Sequence, residues 1–561
     1  MPSEPSFDLT RRPWLPVLYD NGGEGLLSLT EVFQQAHRLR RLVGDVPTQE
    51  FALLRLLLAI LHDAIEGPDD IDEWTELWEE GLPTDRITVY LERHRDRFDL
   101  LHPQAPFLQT AELRTAGDEV FSLDRIVADV PNGTLFFTMR AHGVERLDFA
   151  EAARWLVHAH AFDTSGIKSG AVGDPRVKKG KVYPQGVGWA GNLGGVFVEG
   201  DDLRETLLLN LIAFDTDNLR IDPARDLPAW RQEPRGPQQL DEIELSRRPA
   251  GLRDLYTWQS RRIRLHFDAD GVYGVVLAYG DSLSPHNKHV HEPMTAWRRS
   301  PAQEKKLRLA QVYLPREHDP SRSAWRGLGA LVAGRAEGTE QRKEAAAIVR
   351  PRILDWVARL TVEGPLPDDF LIRARLVGAV YGTQQSVIDD MVDDAVTMPI
   401  VLLHERNKEL GQTAIDAVAD AEKAVTILGD LASDLAKASG TDPAPAVAAA
   451  LALGFGMLDG PFRQWLTTLT PGTDAGERRV AWQREAYKII IRLGRDLVDS
   501  AGDPAWEGRI VQTKKGQKIW LNASYAKEVF GNRLRKELPG ARQSDDPSPE
   551  QASEQMLEVP S

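Results

Sequence analysis

The sequence predicts an α+β fold: a mixed α/β globular domain over residues 1–365, a helical bundle over 366–540 and a disordered acidic tail over 541–561. Three observations carry this. Short alternating segments are interleaved with helices in the first part, long apolar stripes at spacings of three and four run through the second, and apolar content falls away after Ala541.

Taken in order, the chain opens on Trp14-Leu15-Pro16-Val17, where Pro16 biases Leu15 toward extended backbone. Ser28 and Glu31 then have capping-box spacing, so a strand, a turn and a capped helix are expected. Phe51 to Ile65 is apolar nearly all round, as a helix central to the core requires. Arg262 to Leu277 alternates on both sides of Asp270-Gly271 and predicts a β-hairpin. Tyr381 to Ser386 is a tight loop, after which a helix is expected from near Val387, with Asp389, Asp390, Asp393 and Asp394 as an acidic ladder along it. Ile415, Val418, Ala421, Val425, Leu428 and Leu431 form one buried helical stripe, and similar stripes cover 446–458, 462–469 and 478–497. The breaks at Gly440 to Pro443 and Pro471 to Asp474 are short, which favours antiparallel neighbours in a bundle.

Composition narrows the function. At 42% hydrophobic and 27% charged residues the chain has the make-up of a soluble globular protein. It contains no cysteine, which excludes disulfides, thiolate metal sites and cysteine nucleophiles. Met1-Pro2-Ser3-Glu4 lacks the features of a signal peptide and no apolar run is expected to span a membrane, so a cytoplasmic location without a membrane partner is the expectation. A net charge of -16 argues against general affinity for nucleic acid. Positive charge is local: Lys168, Arg176, Lys178, Lys179 and Lys181 lie in 161–190, and Arg247, Arg248, Arg253, Arg261, Arg262 and Arg264 in 247–264. Any DNA contact is therefore expected to be confined to such stretches.

Among candidate sites, His286-Asn287-Lys288-His289-Val290-His291 brings three imidazoles together, and with the acidic ladder it frames one alternative, a metal-dependent hydrolase. Lys288 would repel a cation there, so a polar surface loop is the expectation, and no metal or cofactor is predicted. His158 and His160 fall on different sides of a helix and are expected to be structural. No phosphate-binding glycine loop accompanies the acidic ladder, and no nucleophile elbow, zinc-protease helix or dinucleotide fingerprint occurs; an enzyme is not expected. Two loops offer exposed backbone. In Ser165-Gly166-Ile167-Lys168-Ser169-Gly170, two glycines permit close approach, amides can donate to phosphates or base edges, and Lys168 supplies charge, although a flexible turn has the same composition. In Gln384-Gln385-Ser386, paired amides suit a duplex groove or a wedge between base pairs, although most such pairs are merely surface residues.

Five segments, in order, give the chain a family resemblance: Trp14-Leu15-Pro16-Val17, Pro106-Phe107-Leu108-Gln109-Thr110, the run from Gly200 to Asn210, Leu227-Pro228-Ala229-Trp230, and Gly251 to Gln259. They resemble the CasA family, the large subunits of type I-E CRISPR surveillance complexes (Cascade). The resemblance implies a mixed N-terminal domain followed by a four-helix bundle. It also implies a subunit that recognises the protospacer-adjacent motif (PAM) in double-stranded target DNA, helps guide RNA open the duplex into an R-loop, and recruits a helicase-nuclease. Implied partners are the other Cascade subunits, CRISPR RNA and target DNA, in antiviral defence. By matching, Ser165 to Gly170 is the glycine loop that meets the PAM in the minor groove. Gln384, Gln385 and Ser386 are the wedge, with Gln385 the best match to its glutamine, and Lys288 is the nearest match to a second PAM lysine. A loop bearing Asn132, Phe136, Phe137, Thr138 and Arg140 corresponds to the one that docks near the guide's 5′ end. A third reading is a scaffold that bridges partners through its bundle.

Overall fold

The computed structural model describes residues 5–128, 143–332, 347–512 and 516–544. The chain divides into two compact units, one of Met1–Arg322, Ala333–Pro367 and Ile372–Ala395, the other of Ser323–Val332, Asp368–Leu371 and Val396–Ser561.

The first unit is built around the helix Pro47–Ile65, in which every residue from Thr48 to Ile65 is buried. It packs on the helices Thr84–Arg93, Phe149–Phe162 and Leu252–Tyr256. Within it, Arg55 ion-pairs with Glu292 at 2.8 Å, and the fully buried Glu292 also accepts from the Trp189 indole. The opening segment is the strand Leu15–Tyr19, paired with Glu24–Leu27 and Leu39–Leu42 in a three-stranded antiparallel sheet. The helix Leu29–Gln35 follows, and its capping box is complete: Ser28 N donates to Glu31 at 2.8 Å and Glu31 N to Ser28 Oγ at 3.3 Å. The predicted hairpin pairs Arg261–Asp268 with Gly271–Tyr279.

A second three-stranded sheet corrects the sequence reading. The strand Leu371–Tyr381 lies between Gly195–Glu199 and Ile388–Pro399, so the residues beyond Val387 form a strand and not a helix. The acidic ladder misled because a spacing of four puts Asp389 with Asp393, and Asp390 with Asp394, on common faces in either periodicity. Asp393 ion-pairs with Arg375 of the neighbouring strand at 2.9 Å, which accounts for one acid without a metal.

The second unit contains the helices Lys408–Ser439, Pro443–Leu466, Ala475–Asp499 and Ala523–Glu537, and the first packs on each of the other three. The expected stripe over 446–458 and the first part of that over 462–469 belong to one helix that runs through Pro461 and ends at Leu466. Gly429 and Gly454 allow that helix to approach the first closely, because an added Cβ would lie 3.0 Å from Leu451 and 2.9 Å from Val425 respectively. Trp325, Phe462 and Trp482 form the aromatic centre, with the first pair stacked at 4.4 Å between centroids. At 24 residues and a window hydropathy of 1.3, Pro443–Leu466 is long and apolar enough to cross a membrane, contrary to the sequence expectation. Here it is a bundle helix, with Leu458, Phe462 and Leu466 buried. Of the expected tail over 541–561, residues 541–544 belong to the short helical turn Pro539–Ser544, a correction to the expected disorder there, and the residues from 545 lie outside the described ones.

Candidate nucleic-acid interface

The two loops singled out from sequence meet in the first unit. Ser165 N donates to Gln385 O at 2.7 Å, a direct backbone bond between them. Beside it, the Tyr381 hydroxyl donates to Phe162 O at 2.7 Å, tying the end of one strand to the end of the helix Phe149–Phe162. Asp124, Thr164, Gly166, Lys168, Ser386 and Ile388 are among the residues lining a shared cleft of about 450 Å³.

The glycine loop is held at its base and open at its tip. Tyr279 Oη donates to Gly166 O at 2.7 Å, Gly186 N donates to Ser165 Oγ at 3.1 Å, and Lys168-Ser169 pairs with Lys181-Val182. Gly170 is required by packing, since a Cβ there would lie 2.6 Å from Val177 and 2.8 Å from the Gly180 backbone. Gly166 is different. A Cβ there meets nothing within 4 Å and its φ lies outside the left-handed region, so the fold itself makes no demand for glycine. Its neighbour Ile167 is 58% exposed.

Lys168 has another role than the one expected. It is buried, and its ammonium ion-pairs with Asp163 at 2.8 Å instead of facing solvent. Burial alone would raise the Asp163 carboxyl, but Lys168 and Arg261 outweigh it and hold that carboxyl below its ordinary range. Arg261 also donates to the carbonyls of Asp163, Thr164 and Gly186, so the charges brace the loop from beneath.

The glutamine loop closes by Gly382 N to Val387 O at 3.1 Å and Gln385 N to Gly382 O at 2.9 Å. Gln384 and Gln385 have φ of 57° and 55°, left-handed backbone that non-glycine residues adopt sparingly and that clusters at functional sites. Gln384 is exposed and Gln385 half-buried, and neither side-chain amide has a hydrogen-bond partner among the described residues.

The remaining sequence candidates separate. Lys288 lines a different cavity with Arg220 and Arg247 and none of the cleft residues. Asn132, Phe136, Phe137, Thr138 and Arg140 lie outside the described residues. The arginines of 247–264 are mostly internal: Arg248 pairs with Asp254, Arg253 with Asp63 and Asp226, Arg261 with Asp163 and Arg262 with Asp281. Only Arg247 of that set is exposed. Among the described residues no group of three or more His, Asp or Glu side chains could hold a metal ion, which leaves the hydrolase alternative without a ligand set there. His158 and His160 are both buried, bonded to Thr48 Oγ1 at 2.9 Å and to Leu108 O at 2.8 Å.

Sequence analysis marked Lys178, Lys179 and Lys181 as part of a local cationic stretch but did not place them on a turn, Lys178-Lys179-Gly180-Lys181, beside the glycine loop. Lys179 and Gly180 have φ of 52° and 75°, as in a type I′ hairpin turn, and Lys178, Lys179 and Lys181 are exposed without an ion pair among the described residues. The signal was present in the run of three lysines around a glycine. Arg125, stacked 3.5 Å over Phe121, donates to Ser169 at 2.9 Å and was not legible at all.

Comparison with known proteins bears on this arrangement. Residues 8–493 match the family model described as CRISPR-associated protein Cse1. A curated relative, CRISPR-associated protein CasA/Cse1 of Thermus thermophilus, is 30% identical over 457 residues, covering 78% of this chain and 79% of its own length. The crystal structure of Thermobifida fusca Cse1 is 70% identical with a TM-score of 0.88, and the match covers 96% of this chain and 99% of that one. A chain of a CRISPR RNA-guided surveillance complex shares the fold at 20% identity and a TM-score of 0.63, over 88% of this chain and 99% of that one.

Proposed function

The chain belongs to the Cse1 (CasA) family of large subunits of type I-E CRISPR surveillance complexes, and from that premise we propose that it recognises the PAM of double-stranded target DNA and opens the duplex beside it. The observation that carries this reading is the backbone bond from Ser165 to Gln385, which joins an exposed glycine turn and a strained glutamine turn into one edge. Gly166, which the fold does not need as glycine, lets a partner come within backbone distance. The minor groove separates A·T from G·C well and orientation poorly, so a reader built on backbone amides tolerates several PAMs. Lys178, Lys179 and Lys181 supply the phosphate attraction that the buried Lys168 cannot.

Gln384 and Gln385, with Ser386 closing the turn, form the wedge. Separating a base step costs a few kcal/mol, which guide pairing and local phosphate contacts offset. The protein acts by binding, in company with CRISPR RNA and the other Cascade subunits, and presents the opened target to a helicase-nuclease.

The test is R-loop formation by a reconstituted complex carrying Gln384→Ala and Gln385→Ala, singly and together, on duplexes with matched and altered PAMs at one stated salt concentration. Loss of R-loops with assembly intact is expected, along with loss of helicase-nuclease capture on the same duplex. Unchanged R-loop yield and unchanged PAM preference would overturn the reading and favour the scaffold alternative.

A further inference from the structure

A cavity of about 790 Å³ in the first unit shares no lining residue with the loop cleft. Arg220, Arg225, Arg247, Arg248 and Lys288 line it, against a single carboxylate, Asp222. Two of the five cations are answered, Arg248 by Asp254 at 2.9 Å and Arg225 by Glu244 at 3.7 Å. Arg220 and Arg247 have no ion pair among the described residues, and the Lys288 ammonium bonds only to the Arg248 carbonyl, at 3.2 Å. In a chain of net charge -16, this is a concave surface of uncompensated positive charge.

The walls are fixed rather than loose. Asn287, at φ 55°, accepts from Tyr313 N at 2.7 Å and donates its side-chain amide to Gln311 O at 3.0 Å, and Arg220 N donates to Val290 O at 2.7 Å. His289 and His291 each leave a buried Nδ1 without a hydrogen-bond partner. Burial, and then neighbouring positive charge that includes Arg220, keeps both imidazoles neutral, with pKa values near 4. Ile221, Pro249 and Val290 add an apolar side to the same space. The volume suits an organic ligand and far exceeds the needs of a lone inorganic ion.

We propose that this cavity binds a nucleoside phosphate, its phosphate between Arg220, Arg247 and Lys288 and its sugar and base against the apolar wall. The ligand is either a free nucleotide or one nucleotide of a single strand, and the chemistry recognised is the same. The site stands apart from the two loops and does not depend on their role.

The test is calorimetric titration of the full chain with ADP, with a short 5′-phosphorylated oligothymidylate and with inorganic phosphate, in chelator at low salt. At least one of the first two is expected to bind about tenfold or more tighter than inorganic phosphate. The Arg220→Ser, Arg247→Ser double variant is expected to weaken that binding about tenfold or more with an unchanged melting temperature, because both side chains are exposed and have no ion pair among the described residues. Tighter binding of ADP identifies a free nucleotide as the source, and tighter binding of the oligonucleotide a strand. No binding of either by about 1 mM, equal binding of inorganic phosphate, or indifference to the double variant overturns the proposal.

Discussion

Two glycines four residues apart have different reasons to be glycine. Gly170→Ala drives a methyl into Val177 and the Gly180 backbone and is expected to cost about 1–3 kcal/mol, read as a lower urea midpoint. Gly166→Ala meets nothing and should leave the midpoint unchanged, yet a bulkier Gly166→Val should reduce binding of PAM-bearing duplex by the assembled complex. Equal binding by wild type and Gly166→Val would remove the close-approach argument. Lys168 gives the complementary prediction. Its removal leaves the buried Asp163 with Arg261 as its remaining cation, so the loss is that of one charged hydrogen bond, about 1–3 kcal/mol. Lys168→Met is therefore expected to lower stability in the absence of DNA. A variant as stable as wild type but deficient in DNA binding would return Lys168 to the role of a phosphate ligand.

At the scale of elements, the hairpin turn carrying Lys178, Lys179 and Lys181 is the exposed cationic element beside the glycine loop. Replacing all three with Gln should reduce the slope of log affinity against log salt by about 2–3, since each phosphate contact contributes roughly 0.9. An unchanged slope would place the phosphate contacts elsewhere. The helix Phe149–Phe162 makes stability depend on pH. Burial pushes His158 down to about 3 and His160 to about 4, from an ordinary value of 6.5. Their stabilising effect is complete above the unfolded value and is lost as pH falls from 6.5 toward 4 for His160 and toward 3 for His158, with a contribution of about 3–5 kcal/mol each. His160 uses Nε2 on Leu108 O, so a second proton would enter at an Nδ1 that has no partner. Urea midpoints should fall steeply between pH 6.5 and 4 in wild type and less steeply in His158→Gln. The same element scale explains the misread acidic ladder: a spacing of four satisfies both helix and strand, and pairing with Leu371–Tyr381 decided between them.

For the whole molecule, the opposition between a net charge of -16 and a few local cations predicts weak indiscriminate binding. At physiological salt the isolated chain should bind duplex lacking a target no tighter than the ordinary non-specific range of about 10⁻⁴–10⁻⁶ M, measured by fluorescence anisotropy. Nanomolar binding of such duplex would contradict a directed reader. The sequence by itself determined the α+β class, the capped first helix, the buried helix Pro47–Ile65, the hairpin around Asp270-Gly271 and the helical character of 408–499, because each rests on local periodicity or local capping chemistry, whereas the helix Ala523–Glu537 carried no stripe that marked it. It also marked both loops, because glycine and amide composition is visible locally. Only tertiary structure decided that Ser165 and Gln385 touch, that Lys168 and the arginines at 248, 253, 261 and 262 turn inward, and that Lys288 belongs to a separate cavity. A run of basic residues looks the same whether its charges meet solvent or carboxylates distant in sequence. Ion-pair partners such as Asp63 and Arg253 are brought together by the packing of remote elements, which no local pattern encodes.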